Sequence, residues 1–309
     1  MTDIILEHEN IVDNIRNTIA NIAPSDILEK SHIQDSLSWI QSGAPIFRIT
    51  KPDIPNKHLV VYFVLFDPVA LKILLVDHKN AGLWLPPGGH VEVDEDPIDT
   101  VKSECQEELG IDADFLYPTP IFLTSTLTVG FTAGHTDVSL WYVLKGCHTD
   151  NYKFDDAEFH KVQWFNLADI PYAKTDPHMR RFIDKLLKYE SQTVKMHCQE
   201  PWFSAIKHGR KTVEGRKLSP KYANLKPDQT VRFYCGDDSF EVKIVKVVQY
   251  KSLEEYLLIE YVEKVLPGIA SFEDAVNVYL QYNSREELAK AGGFLAIHLK
   301  VFNAEWVGL

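Results

Sequence analysis

The stretch PPGGHVEVDEDPIDTVKSECQEELGI, Pro86 to Ile111, decides how this chain is read. Eight carboxylates fall within its 26 residues, with a glycine pair, Gly88-Gly89, ahead of them and a single lysine among them. Pro97 suits the first position of a helix, with Asp96 or Asp94 before it and Gly110 past its end. At about 100° per residue, Ile98, Val101, Cys105 and Leu109 share one arc of about three and a half turns, and Glu104, Glu107 and Glu108 occupy the neighbouring arc. The apolar arc is expected to anchor the helix while the three carboxylates project together. Like charges at this spacing cost a helix a few tenths of a kcal/mol each, roughly, so crowding them calls for a compensating cation. Hard divalent ions prefer oxygen ligands, and Mg²⁺ is usually held by one or two carboxylates with waters and substrate phosphates. The glycine pair permits close backbone approach, and the carbonyl of Gly89 is a further candidate ligand. A solvated acidic helix face is the competing reading.

The full spacing favours the ion. Five residues separate Gly89 from Glu95, seven separate Glu95 from Ser103, and Glu104 through Ile111 follow directly. This resembles the Nudix box, G-x5-E-x7-R-E-U-x-E-E-x-G-U, where U is a bulky apolar residue. Ser103 stands where the family has arginine, and Cys105 fills an apolar position. GLWLPPGGH looks like the family's lead-in strand, and AEFHKVQWFNLADIP resembles its late strand and turn. The resemblance covers about residues 57–189 and implies an α/β/α sandwich around a mixed sheet. It implies that Glu104, Glu107 and Glu108 hold Mg²⁺ (Mn²⁺ being the alternative), that Glu95 shapes the loop, and that Glu158 is an extra carboxylate that binds metal or acts as base. The implied reaction is attack of water on a phosphorus of a nucleoside diphosphate linked to another group. The family arginine pairs with the box glutamates. Serine cannot, and Lys102 lies about 100° round the helix, so the catalyst is either weakened or held by another cation. The surviving carboxylates favour activity. Markers of the NADH-, ADP-ribose- and dinucleoside-polyphosphate-cleaving subgroups are missing, the last two because Thr126, Leu127 and Thr128 supply neither proline nor tyrosine. In GHTDVSLWYV, His135, Asp137 or Trp141 are candidates for base recognition, although Trp141 and Val143 read better as the buried face of a strand.

Working outward, residues 1–45 read as helical, with Ile33, Leu37 and Ile40 at helix spacing before Gly43. They are expected to pack on the sheet, cover the site or form a dimer contact. Strand-like runs follow at 59–66, 71–77, 120–129, 138–145 and 159–165, and a helix from Pro177 to Tyr189 capped by Asp176. The opening MTDIILEHEN carries acids rather than a basic leader, and no apolar run is long enough to span a bilayer. The four cysteines show no C-x-x-C pairing, so neither a zinc site nor a disulfide framework is expected, and a reducing cytoplasmic location fits.

Net charge is −12, distributed unevenly. From Lys195 onward there are 16 basic and 15 acidic residues; before it, 16 and 29. That shift places a boundary near 190–195 with YESQTVK as linker, giving a helical extension at 1–45, a Nudix-like domain at 46–190 and a second domain at 195–309. The second domain reads as a helix over EPWFSAIKHG, strands at 230–235 and 239–248, a helical pair over 252–290, and a closing strand GFLAIHLKVF. Seven basic residues between Lys207 and Lys226 are interleaved with Tyr222 and follow Trp202 and Phe203, which suits phosphates and stacked bases. GRKTVEGRK supplies Gly209, Lys211, Glu214 and Arg216 in the G-x-K-x-x-E-x-R order of the ASCH family, relatives of the PUA RNA-binding barrels. This resemblance implies a small β-barrel whose Lys211, Glu214 and Arg216 line a cleft for a nucleobase, nucleotide or RNA. Some members are amidohydrolases that use a lysine and a threonine three residues later; Glu214 occupies that threonine position here. The leading expectation is a metal-dependent nucleotide pyrophosphohydrolase with a nucleotide- or RNA-binding second domain. A non-catalytic binding regulator, or a hydrolase in the second cleft, are the rivals.

Overall fold

The computed structural model describes residues 2–50, 54–129, 133–236 and 238–301, with side chains from residue 10 onward. The chain divides into two compact units, Met1–Glu190 and Ser191–Leu309.

In the first unit two helices, α1 (Thr2–Ala20) and α2 (Ile27–Gln41), precede the strands. The sheet is built from β1 (Lys57–Asp67), β2 (Lys72–His78), β3 (Leu83–Leu85), β4 (Gly88–His90), β5 (Phe122–Leu127), β6 (Thr136–Lys145) and β7 (Phe159–Asn166). Its main path runs β3-β2-β1-β6-β5, with β4 joined to β1 and β7 to β2. β1 and β6 pair in parallel from Lys57↔Thr136 to Phe66↔Lys145, and the other pairings are antiparallel, so the sheet is mixed.

HLVVYFVLFD is apolar almost throughout because β1 is covered on both faces. Leu59, Val61, Phe63 and Leu65 pack with Ile15, Ile19, Ile33 and Ile40 of α1 and α2 and with Val101, Cys105 and Leu109. Val64, Phe66, Trp141 and Val143 pack instead on Phe182, Ile183 and Leu186 of α4 (Met179–Gln192). Alternation along the strands thus sends alternate residues to two helical layers, which is the expected α/β/α sandwich. Helices α1 and α2 belong to one of those layers. Their attachment is also ionic: Lys185 Nζ lies 2.6 Å from Glu29 Oε1, both side chains buried, and donates to the Ala23 carbonyl at 2.7 Å. Arg181 grips Asp26 with two bonds of 2.9 and 2.7 Å, which holds the Asp26 carboxyl down at about 2.

The second unit is a curled five-stranded sheet in the order β8-β10-β11-β12-β9. These strands are β8 (Val194–His197), β9 (Val213–Lys217), β10 (Thr230–Cys235), β11 (Asp238–Tyr250) and β12 (Phe294–Val301). The short helix α5 (Trp202–Lys207) covers one face, and α6 (Leu253–Glu260), α7 (Val262–Val265), α8 (Phe272–Leu280) and α9 (Arg285–Ala291) cover the other.

Two details differ from the sequence reading. The segment read as a linker is structured: α4 runs to Gln192, and β8 begins at Val194 and pairs in parallel with β10. Its polar composition reflects the solvent side of α4's last turns. The helical pair expected over 252–290 is four short helices. Tyr261 sits at φ 64° between α6 and α7, Gly268 at φ 92° follows α7, and Ser271 and Ser284 each accept a backbone N–H to start a new helix.

Candidate active site

Backbone geometry places the glycine pair first. β4 lies antiparallel to β1 with Gly89 opposite Val61 and Gly88 opposite Tyr62. A Cβ on Gly88 would meet the Val61 carbonyl oxygen at 2.0 Å, and one on Gly89 would meet Glu104 Oε1 at 1.7 Å. The space left by the missing side chain at 89 is where the Glu104 carboxyl sits. Gly88 N–H donates to Glu108 Oε2 at 2.9 Å, so both glycines receive a box carboxylate. Gly89→Ala is expected to evict Glu104 and weaken Mg²⁺ binding about tenfold or more, by analogy with lost support around metal sites. A calorimetric Mg²⁺ titration of the variant matching that of the parent would remove this role from the glycine.

The helix α3 (Pro97–Glu104) starts where Asp96 Oδ1 accepts the Ile98 N–H at 3.0 Å, so Asp96 rather than Asp94 is its cap. Beyond Glu104 the winding widens over Cys105–Leu109 into π turns, and Gly110 closes it at φ 64°. This changes the even arc read from the sequence. Cys105 and Leu109 stay buried, Glu108 is buried beside Glu104, and Glu107 is exposed. Wide turns of this kind recur at functional sites.

Electrostatics follow from that crowding. Burial, then the charges of Glu107 and Glu158, push the Glu104 carboxyl up to about 7. Burial, then Glu104 and Glu158, push Glu108 up to about 9, against the opposing bond from Gly88. Among the described residues no lysine or arginine forms an ion pair with Glu104, Glu107 or Glu108. Ser103 turns its hydroxyl back onto the Asp99 and Thr100 carbonyls at 3.1 and 3.0 Å, and Lys102 holds Asp99 at 2.7 Å. Neither replaces the arginine of the box. Glu95 accepts from the Thr100 hydroxyl at 2.8 Å and the Glu92 N–H at 3.3 Å, tying the loop to the start of α3. Glu158 is exposed just before β7, and its charge is felt by both half-buried Glu104 and buried Glu108. The donor set is therefore hard oxygen, crowded and without a cationic side chain, which fits a divalent ion.

In the second unit a cavity of about 310 Å³ is lined by Trp202, Lys211, Glu214, Arg216, Tyr222 and Tyr279, among others. Glu214 bridges the two basic groups, with Oε2 3.1 Å from Lys211 Nζ and Oε1 2.8 Å from Arg216. Burial would raise the Glu214 carboxyl, but the charges and hydrogen bonds of Lys211 and Arg216 outweigh it and hold it below the usual range. Lys211 is 1% exposed and also donates to the Val213 and Val265 carbonyls, so its three hydrogens are committed. The motif puts Lys211 in a cleft with Glu214; the structure has it at the cavity as a buried brace between Glu214 and two carbonyls. Arg216 donates to the His197 carbonyl at 2.6 Å and lies 5.9 Å from the Tyr222 ring, at the cavity wall.

The NUDIX domain family matches residues 56–186, and the ASCH domain family matches residues 196–301. An uncharacterized Nudix hydrolase of Bacillus subtilis is 32% identical over 120 residues, covering 37% of this chain and 72% of that protein. The chain belongs to the Nudix hydrolase family. An RNA pyrophosphohydrolase of Gluconacetobacter diazotrophicus is 31% identical over 105 residues, 30% of this chain and 62% of that protein. A solution structure of a Pyrococcus furiosus protein is 31% identical, covering 36% of this chain and 98% of that one, with a TM-score of 0.32.

Within this Nudix domain the candidates for base recognition separate, with Trp141 on the buried strand face that its sequence context favours. Trp141 is fully buried, stacked on Phe182 at 4.8 Å and donating to the Thr124 hydroxyl at 2.9 Å. It belongs to the core. Asp176, read only as a cap, does accept the His178 N–H at 2.7 Å, but burial also raises its carboxyl to about 6. A local capping signal carries no hint of that burial, which comes from the tertiary packing. His135 and Asp137 meet His58 and His90, a grouping no sequence spacing announced.

Proposed function

We propose that this chain is a divalent-metal-dependent hydrolase that cleaves the phosphoric anhydride of a nucleoside diphosphate derivative. The observation that carries this reading is the pair of carboxyls, half-buried Glu104 and buried Glu108, held behind Gly88-Gly89 with no cationic side chain paired to them among the described residues. Glu104, Glu107, Glu108 and the Gly89 carbonyl are the ligands we assign to Mg²⁺ or Mn²⁺. When bound, such an ion screens phosphate charge and makes water a better nucleophile. The chain's own contribution is positional. Gly88 N–H fixes the Glu108 carboxyl and Glu95 holds the loop to α3; to exposed Glu158, whose charge acts on both Glu104 and Glu108, we assign the role of proton acceptor for the attacking water. In the second unit the cavity at Arg216 and Tyr222 suits a nucleotide or a nucleobase of RNA: a guanidinium for phosphate and an aromatic ring for stacking. The RNA pyrophosphohydrolase among the relatives acts, by its name, on the same class of bond.

Release of nucleoside monophosphate from a panel of nucleoside diphosphate derivatives, or of pyrophosphate or phosphate from 5′-triphosphorylated RNA, tests this reading. Turnover that requires Mg²⁺ or Mn²⁺ is expected on at least one, and none on any would refute it. The carboxyls also set a pH dependence. Unfolded, Glu104 and Glu108 ionise near the ordinary 4.5; folded without metal, they keep their protons to about 7 and about 9. The metal-free protein therefore loses stability as pH rises from about 4.5 towards about 9, because the unfolded chain releases protons that the folded one retains. Mg²⁺ binding must expel those protons, so its affinity is expected to rise between pH 6 and 9. Calorimetry in buffers of different ionisation enthalpy reads the proton release directly; pH-independent affinity with no release would contradict the coupling.

A further inference from the structure

The first unit holds a second group of metal-ligating side chains, chemically unlike the box. His58 opens β1, His90 ends β4, His135 stands just before β6 and Asp137 is within it. Alternation along β1 and β6 turns His58 and Asp137 away from the face that carries α3, and His90 away from the side on which Gly89 receives Glu104. One ligand atom from each of the four residues lies within 4.8 Å of the others. Asp137 Oδ1 is 3.3 Å from His58 Nε2 and 3.1 Å from His135 Nε2. Ligands about 2.0 Å from a tetrahedral ion lie roughly 3.3 Å apart, so these two separations already match tetrahedral edges.

The outer hydrogen bonds point the same way. The Pro55 carbonyl, 2.8 Å from His58 Nδ1, can only accept, which puts the ring hydrogen on Nδ1 and the lone pair on Nε2. Thr128 Oγ1 lies 3.1 Å from both the His135 carbonyl and His135 Nδ1, and that carbonyl also accepts the Thr128 N–H at 2.9 Å, so the hydroxyl pins the ring of His135 without fixing its tautomer. Both rings turn Nε2 towards the same carboxylate oxygen, Asp137 Oδ1. The His58 lone pair facing a carboxylate oxygen calls for a cation between them, and a histidine whose other nitrogen donates to a backbone carbonyl is the usual metal ligand. Arg48, 3.3 Å from His90 Nε2, would be exchanged for the ion at that ring.

We propose that His58, His90, His135 and Asp137 form a site for a divalent transition-metal ion of the zinc type, separate from the box carboxylates. Imidazole donors favour such ions over Mg²⁺, whereas the all-oxygen box favours Mg²⁺. The scattered cysteines take no part; all four are free, and the site is built of histidine instead. An ion there joins β4 to the starts of β1 and β6. It also anchors the residue next to Gly89.

The test uses the full chain, stripped with a chelator, loaded with Zn²⁺, passed through gel filtration and measured by elemental analysis. One zinc per chain is expected, with Co²⁺ in its place giving the intense visible bands of a tetrahedral site. Asp137→Asn and His135→Ala are expected to lower zinc affinity about tenfold or more, while the Glu104→Gln/Glu108→Gln double variant keeps one zinc. Asp137→Asn preserves side-chain size, and its melting temperature in chelator reports whether it folds. Zinc should raise the melting temperature of the parent and not of that variant. Absence of retained zinc in the parent overturns the proposal. So does zinc that survives both cluster variants or disappears with the glutamates.

Discussion

Glu108→Gln is expected to lower Mg²⁺-dependent hydrolysis by about 10²-fold or more while leaving the fold intact or steadier. Glutamine keeps the length of the side chain and can still accept the Gly88 N–H, so the loop should hold. What it removes is the negative charge that the ion needs, and losing charge stabilisation at a reacting centre costs rate by such factors. Stability should move the other way. At pH 8 the folded, metal-free protein keeps a proton on Glu108 that the unfolded chain gives up, because burial and Glu104 hold that carboxyl up at about 9. Glutamine has no proton to release, so the cost vanishes and the melting temperature without Mg²⁺ should rise. Opposite movement of turnover and melting temperature is a signature that a purely structural glutamate would not produce. Full turnover in the Glu104→Gln/Glu108→Gln double variant would dismiss the box as the catalytic centre. A melting temperature that fell in proportion to activity would recast Glu108 as a packing residue.

The parts of this protein that declared themselves in the sequence are those fixed by local periodicity or by a dense motif. β1 was readable because a strand covered on both faces must be apolar throughout. α4 was readable because Phe182, Ile183 and Leu186 recur at helical spacing. The box was readable because its glycine and glutamates lie within one short stretch. What failed had a physical cause in each case. Uniform winding of about 100° per residue hid the wide turn at Cys105–Leu109, which buries Glu108 and leaves Glu107 outside. The motif placed Lys211 beside Glu214, but nothing local shows that the Val213 and Val265 carbonyls take its other hydrogens and bury it. The histidine cluster was silent because its members are 32 and 45 residues apart and meet only through the β1–β4 and β1–β6 pairings.

Lys211→Met is expected to destabilise the second unit by about 3–5 kcal/mol, the usual cost of removing one partner from a buried ion pair. Lys211 and Glu214 are 1% and 8% exposed at their side chains, so water cannot replace what the substitution takes away. Methionine fills much of the volume but leaves the Val213 and Val265 carbonyls without the donor that now serves them. Glu214 would retain Arg216 alone, at 2.8 Å. Arg216→Lys should behave differently, because a cation remains near Glu214 while the planar fork towards the cavity is lost. Its stability is expected to change little, and its affinity for a nucleoside monophosphate or short RNA to fall about tenfold. Hydrogen exchange of the β9 and β12 amides separates the two, since it reads opening of that sheet without assuming that the whole chain unfolds in one step. Faster exchange in Lys211→Met, with parental exchange and weakened ligand binding in Arg216→Lys, would divide the motif into a brace and a binding group. If Lys211→Met exchanged like the parent and lost only ligand, the lysine would be the group that meets the ligand, and the buried brace would be disproved.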